Sequence, residues 1–566
     1  MSFDEAVRSH EPSRYEGEDT SVTTPRELNG WYSYAIAAEV FAVVGVGSFL
    51  PVTLEQLARE RGFFFSDRTT PCVSRTGSEM SGDPTRLRMR ADGGPEEQCV
   101  ISFMGTEVTT ASFAMYTFSA AVLVQAITLV CFSSFADHGP YRKRMLLCFA
   151  YLGSLASASF ICITPEVYYL APFLAIIGVT CLGCSFTLLN AFLPLLVANH
   201  QDYSDDPDSA SDFEMEALNP ESSKNLRRSS PGMLARDLAR SAAISSKGVG
   251  LGYTAAVSVQ CLSILVLFVF SKTSLAANDG SLPMRAILLL VGVWWAIFTF
   301  PTFRWLRPRS GEPLPTQFNF RPSRINTFLF YTRFSLSAFW TTLKRAIRLR
   351  QVVIFLSAWF LLSDAIATIS GTAVLFARTE LNMGTIAIAL LSITSIGFGI
   401  VGAFAWPRIA TRYSLQPKTV LLLCVAFMEI VPLYGLLGYI PLIRALKFGG
   451  LQQPWEIYPL GAVHGFIMGG ISSYARSVYA PLIPHGSEAA FFALYAVTDK
   501  GSSAVGPALV GWIVDRAGTI RPAFIFLAVL AVCPGPLLWM LDVEKGRADA
   551  GRVVPKRVDS FEMGEE

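Results

Sequence analysis

The residues of greatest chemical interest are charged groups stranded in apolar sequence: Glu39, Asp364, Glu429 and Arg476, with Asp499 and Lys500 near the start of another apolar run. An ionised side chain in hydrocarbon costs about 2.5–3.5 kcal/mol on insertion scales, so such groups line wet paths or pair with one another. A carboxylate placed there can hold an ammonium or relay a proton, and an arginine fork can receive a carboxylate. Glu39 and Asp364 stand apart by pattern. Glu55 follows Glu39 and Glu380 follows Asp364 at the same offset of sixteen residues, and Tyr34 and Trp359 precede the two acids by five. Such a repeat predicts matching places for Glu39 and Asp364 in two related halves. Arg476 is the weaker partner, because snorkelling at a segment end explains it equally well. Glu429, beside Pro432, reads as structural, and His464 as a packed histidine rather than a proton relay.

The elements that must position these groups are membrane spans. The 566 residues are 52% hydrophobic and 16% charged, against roughly 25% charged in soluble domains. Mean hydropathy is +0.42. This excludes a water-soluble multidomain enzyme, and a net charge of +2 gives no reason to expect nucleic acid as a partner. About twelve apolar runs are long enough to span a bilayer, near 31–50, 112–132, 145–163, 167–195, 248–270, 284–303, 351–376, 385–406, 418–438, 457–480, 490–514 and 520–541. The fold class expected is therefore an all-α polytopic membrane protein. Basic residues crowd the connections after the second, sixth and eighth runs, which places those connections and both termini in the cytosol. The chain divides into a tail (1–30), a six-helix half (31–303), a basic cytosolic connection (304–350), a second half (351–541) and a tail (542–566). The first half carries a lumenal insert, 51–111, and an acidic, serine-rich cytosolic insert, 199–246, expected to be disordered. No basic n-region precedes an apolar core near residue 1, so no cleavable signal is expected. Of ten cysteines, only Cys72 and Cys99 share polar sequence; on the lumenal side they are expected to form a disulfide. No metal-ligand spacing, HExxH pair, GxSxG elbow or phosphate-binding GxxxxGK[ST] loop is present, so no cofactor and no ATP drive are expected.

Six runs, a basic connection and six more runs is the layout of the major facilitator fold. The connection Ser133, Ser134, Phe135, Ala136, Asp137, His138, Gly139, Pro140, Tyr141, Arg142, Lys143, Arg144 resembles the facilitator loop motif, with Ser133 in place of its leading glycine and one extra residue after Asp137. Asp137, Arg142 and Lys143 are its gating candidates. A closer resemblance begins at Glu27, Asn29, Gly30, Trp31, Tyr32, Tyr34, Ala37 and Glu39, continues through Leu189, Asn190, Phe192 and Pro194, then Ser246, Gly248, Gly252 and Tyr253, and is strongest over Arg476, Tyr479, Pro484, Gly486, Glu488, Ala489, Phe491, Tyr495, Asp499, Lys500, Gly506 and Pro507. These residues resemble the autophagy-related vacuolar effluxers, a fungal branch of the major facilitators. The resemblance implies a vacuole-membrane carrier that exports leucine and other neutral amino acids by alternating access, either downhill or coupled to protons. Its pathway candidates are Glu39, Asp364, Arg476, Tyr34, Asn190 and Lys500. The alternatives are a facilitator for another small organic solute, or a receptor or scaffold that transports nothing.

Overall fold

The structure is a computed structural model. It describes residues 19, 21–64, 70–72, 99–103, 105–200, 231–273, 280–311, 324–381, 383, 385–445, 449–502, 505–517 and 520–552. Among them, ten helices are long and apolar enough to cross a membrane. The helices in chain order are α1 (Pro25–Arg59), α2 (Thr110–Ala136), α3 (Tyr141–Ser159), α4 (Ala171–Ala198), α5 (Pro231–Ser271), α6 (Leu282–Trp305), α7 (Arg324–Arg348), α8 (Arg350–Thr379), α9 (Thr385–Arg412), α10 (Pro417–Leu437), α11 (Ile457–Tyr479), α12 (Glu488–Ser502), α13 (Val505–Ala517), α14 (Ala523–Met540) and α15 (Val543–Arg552). The tenth and eleventh expected runs correspond to α11 and to α12 with α13. Both lie against the rest of the bundle.

Local chemistry sets the helix ends. Thr24 accepts the Glu27 amide ahead of Pro25, and Thr109 accepts the Ser112 amide, each satisfying an otherwise orphaned donor at a helix start. Just past Glu39 the first helix widens into a π-helical stretch, Phe41–Phe49. Glu429 sits at the joint between Pro417–Met428 and Ile430–Leu437, where Pro432 cannot donate to the carbonyl of Met428. Close packing uses glycine. A Cβ at Gly402 would strike the Phe466 carbonyl, and one at Gly465 or Gly469 would strike the Ser395 or Gly399 carbonyl, so α9 and α11 approach backbone to backbone.

Contacts define two faces. One, the basic face, gathers the ends near residues 19–27, 137–142, 196–199, 306–311, 480–490 and 540–552. There Thr23 bonds the Leu196 carbonyl, Gly311 bonds Gly139, Gln351 bonds Asp542 and Arg547 pairs with Asp237. Both described ends of the chain lie on this face. The opposite face carries an antiparallel three-stranded sheet of β1 (Phe63–Phe64), β2 (Cys99–Phe103) and β3 (Thr106–Thr109), in the order β1-β2-β3. Cys72 is bridged to Cys99 beside it, with Cα atoms 6.1 Å apart.

Two expectations change. The first span runs on to Arg59 instead of stopping near 50, so the insert begins later, and its described part adds a small sheet to a fold expected to be wholly helical. The serine-rich insert was expected to run to 246, but α5 starts at Pro231, with Leu238, Ala242 and Ile244 packed into the core; the apolar spacing of this stretch outweighs its polar composition. Residues 201–230 of that insert lie outside the described residues. The basic connection, 304–350, contains a 25-residue helix, α7.

Candidate functional site

At the heart of the molecule lies Arg476, on α11 of the second half. It is 6% exposed and is held by the first half: its Nε donates to Ser245 Oγ on α5 at 2.6 Å and its Nη1 to Asn190 Oδ1 on α4 at 2.8 Å. The guanidinium carbon lies 5.6 Å from the centre of the Trp31 ring on α1. Trp31 is fixed in turn by its own indole N–H, which donates to the Leu189 carbonyl at 3.0 Å. All these partners are neutral. Among the described residues Arg476 has no carboxylate within ion-pair distance, and its Nη2 makes no hydrogen bond.

Two turns further along α1 stands Glu39, half-buried against Gly252, whose absent side chain makes room for the Glu39 methylenes. Glu39 likewise has no hydrogen bond or ion pair to a described residue, yet it lies within electrostatic reach of Arg476 and Tyr253. The Tyr253 hydroxyl meets Ser472 Oγ at 3.2 Å, joining α5 to α11. An aromatic wall from the second half completes the chamber: Tyr495 stacks on Trp359 at 4.6 Å and on Tyr479 at 5.5 Å between ring centres. One turn beyond Tyr495, Asp499 accepts from Ser363 at 2.7 Å and pairs with Lys500 at 3.1 Å. The Lys500 side chain is 51% exposed. A cationic fork held by neutral partners thus stands near a carboxylate and an aromatic wall, between the two halves.

The other pathway candidates are employed differently. Asp364 is buried and accepts the Gly506 amide at 2.9 Å, capping the start of α13, with the Thr368 hydroxyl close against the same glycine. The sequence repeat therefore predicts a symmetry that the side chains do not keep: one acid of the matched pair is free and the other is a cap. Tyr34 is fully buried inside the first half, where its hydroxyl accepts from Trp295 at 3.4 Å, so it packs α1 against α6 and does not line the chamber. Arg476, a pathway candidate for which snorkelling was the alternative, points inward onto Asn190 and Ser245. Sequence reasoning gave no role to Ser245, Ser472 or Trp31, although Trp31 and Tyr253 lie within the runs that carry the resemblance.

A second cross-half cluster lies at the basic face. Arg142 Nη2 donates to Asp137 Oδ1 and to Glu488 Oε2, each at 3.0 Å, and all three side chains are almost wholly buried. Asp137 also accepts the Ala489 and Ala490 amides at 2.7 and 2.9 Å, so a first-half carboxylate caps the start of second-half helix α12. Burial raises the Asp137 carboxyl to about 7; Arg142 and the two amides pull against this and Glu488 pushes with it. Lys143 takes no part, because its ammonium bonds the Phe303 carbonyl at 2.8 Å. This latch and the Arg476 layer beneath it join the halves at the basic face. Among the described residues, polar contacts at the sheet face join segments of one half, as between Arg61 and Glu166 or Glu380 and Ile520. The conformer is closed at the basic face.

The sequence model of the family described as "Vacuole effluxer Atg22 like" matches residues 23–551. A relative from Phaeosphaeria nodorum, Autophagy-related protein 22-1, is 68% identical over 557 residues, covering 97% of this chain and 95% of its own. The protein of the same name from Sclerotinia sclerotiorum is 52% identical, with 95% and 92% covered. Among solved structures, the bacterial homologue of the iron transporter ferroportin in its outward-facing state gives a TM-score of 0.54 at 10% identity, covering 91% of this chain and 98% of that one. The proton:xylose symporter XylE, of the major facilitator superfamily, gives 0.53 at 11% identity, covering 92% and 97%. The structural likenesses establish the fold and the sequence matches the lineage: the chain belongs to the Atg22-like vacuole effluxer family and is a membrane transporter built on the major facilitator fold.

Proposed function

We propose that this transporter exports neutral amino acids, leucine among them, from the vacuole lumen to the cytosol by alternating access. The observation that carries the reading is the pair formed by Arg476 and Glu39. An amino acid presents a carboxylate and an ammonium a few bonds apart, and opposite charges with no direct ion-pair partner among the described residues stand near each other between the halves. The α-carboxylate takes Nη2 of Arg476, the ammonium takes Glu39, and the side chain lies along Trp359 and Tyr495. The basic face meets the cytosol, by the distribution of Arg and Lys near the spans. The conformer described is then open to the lumen, where cargo from breakdown accumulates. Release requires the Arg142 latch to part while contacts form at the sheet face.

Counterflow of labelled leucine into vesicles containing the purified protein, with and without a pH gradient, tests this. Exchange of leucine for internal leucine is expected. Failure of leucine and other neutral amino acids to exchange, with protein of correct fold and orientation, contradicts the assignment. A gradient that drives accumulation would show that protons are coupled.

A further inference from the structure

The helix α7 has a face that the transport cycle does not use. Its inner side packs into the bundle: Phe334 lies against Phe135 and His138, and the Ser335 hydroxyl bonds the Cys131 carbonyl at the end of α2. Phe339, Thr342, Ala346 and Leu349 continue that buried side. The outer side is exposed at Arg333, Leu336, Ser337, Trp340, Thr341, Lys344, Ile347 and Arg348. At about 3.6 residues per turn these positions form one continuous stripe. Within it, Leu336, Trp340 and Ile347 fall along one edge and Arg333, Lys344 and Arg348 beside them. The three apolar side chains are 54%, 56% and 64% exposed, more than a solvated face of a soluble helix would leave uncovered. The Lys344 ammonium sits 5.6 Å from the centre of the Trp340 ring, an amphipathic pair of the kind found at headgroup level. Depth agrees. The helix is anchored to the last turns of α2, on the face where Trp305, Tyr413 and Trp539 are exposed at the ends of other spans, as in an interfacial aromatic belt.

We propose that α7 lies in the leaflet at the basic face and binds anionic phospholipid headgroups, with its apolar edge among the acyl chains and Arg333, Lys344 and Arg348 on the lipid phosphates and carboxylates. No described acidic side chain lies on the stripe to neutralise the three cations. The inference does not depend on the cargo or on which compartment this face meets. Because Phe334 packs on residues that flank Asp137, a lipid-held α7 also braces the loop that forms the latch.

The test uses the full chain in nanodiscs of phosphatidylcholine with and without phosphatidylserine. It reads the fraction of spin-labelled phosphatidylserine or phosphatidylcholine restricted in motion by the protein. The wild type is expected to restrict phosphatidylserine preferentially. The triple variant Arg333→Gln, Lys344→Gln, Arg348→Gln should lose that preference by about fivefold for each charge removed, following roughly 1 kcal/mol per basic residue at an anionic surface. The charge-keeping variant Arg333→Lys, Lys344→Arg, Arg348→Lys should retain it, which separates headgroup binding from misfolding. Equal restriction of both lipids by the wild type overturns the proposal. So does an undiminished preference in the glutamine variant, which would assign the lipid to other basic residues.

Discussion

Two buried arginines bridge the halves, and they differ in what they face. Arg142 spends its charge on two carboxylates of the protein, one from each half. Arg476 is gripped by Asn190 and Ser245, which orient it without neutralising it. The first therefore works on the protein itself, holding one face shut; in the transport cycle proposed above, the second keeps its charge for the carboxylate of the cargo. Burying a guanidinium without a direct ion pair costs several kcal/mol, and in that proposal the anion of the cargo offsets part of the cost.

The largest effect that could break this contrast is at the latch. Arg142→Gln leaves Asp137 and Glu488 buried together without their cation, and removal of one partner from a buried ion pair costs about 3–5 kcal/mol. The closed conformer should become a minority. Fluorescence distances between labels at Arg144 and His485, in a background lacking other accessible thiols, should lengthen; an unchanged distance would refute the latch. Arg476→Gln should instead leave that distance in place and raise the leucine KM. The expected loss is about 1.5–3 kcal/mol, roughly ten- to 150-fold, for a hydrogen bond to a charged group.

The matched acids sharpen the comparison further. Glu39→Gln removes the charge opposite the ammonium and should weaken leucine exchange by roughly tenfold, about 1.4 kcal/mol. Asp364→Asn should change transport little, because asparagine caps a helix nearly as well as aspartate, whereas Asp364→Ala should cost about 1 kcal/mol in thermal stability. Equal losses from Glu39→Gln and Asp364→Asn would restore the symmetry predicted by the repeat. The smallest effect concerns pH. The Asp137 carboxyl is raised to about 7 in the closed latch, against about 3.9 in water, so the closed form holds the proton more tightly. Closure is favoured as pH falls and this contribution is lost as pH rises through 7; the same label pair should shorten on acidification. Arg142 and Glu488 face the carboxyl directly, and His138 is turned away onto the Ser134 carbonyl.

The parts legible in sequence were those that physics writes locally. Span positions follow from runs of apolar residues, and the Asp137–Arg142 half of the latch lies within one loop. What was not legible depends on partners far apart in the chain. Glu488 completes the latch from 346 residues away, and Ser245 reaches Arg476 across 231. The repeat placed Asp364 opposite Glu39, yet the first turn of α13 brings the Gly506 amide to Asp364 and claims its carboxylate. The stretch before residue 246 looked too polar to fold alone; it folds because Leu238, Ala242 and Ile244 bury against the bundle.

The central claim is that Arg476 receives the carboxylate of the cargo. The most direct measurement compares leucine with leucinamide, which keeps the ammonium and side chain but lacks the anion, as competitors for labelled leucine in vesicles carrying the wild type or Arg476→Gln. Leucine should outcompete leucinamide strongly in the wild type, and the gap should collapse in the variant because leucine alone loses affinity. A discrimination of the same size in both proteins would show that the carboxylate is held elsewhere and would contradict the account.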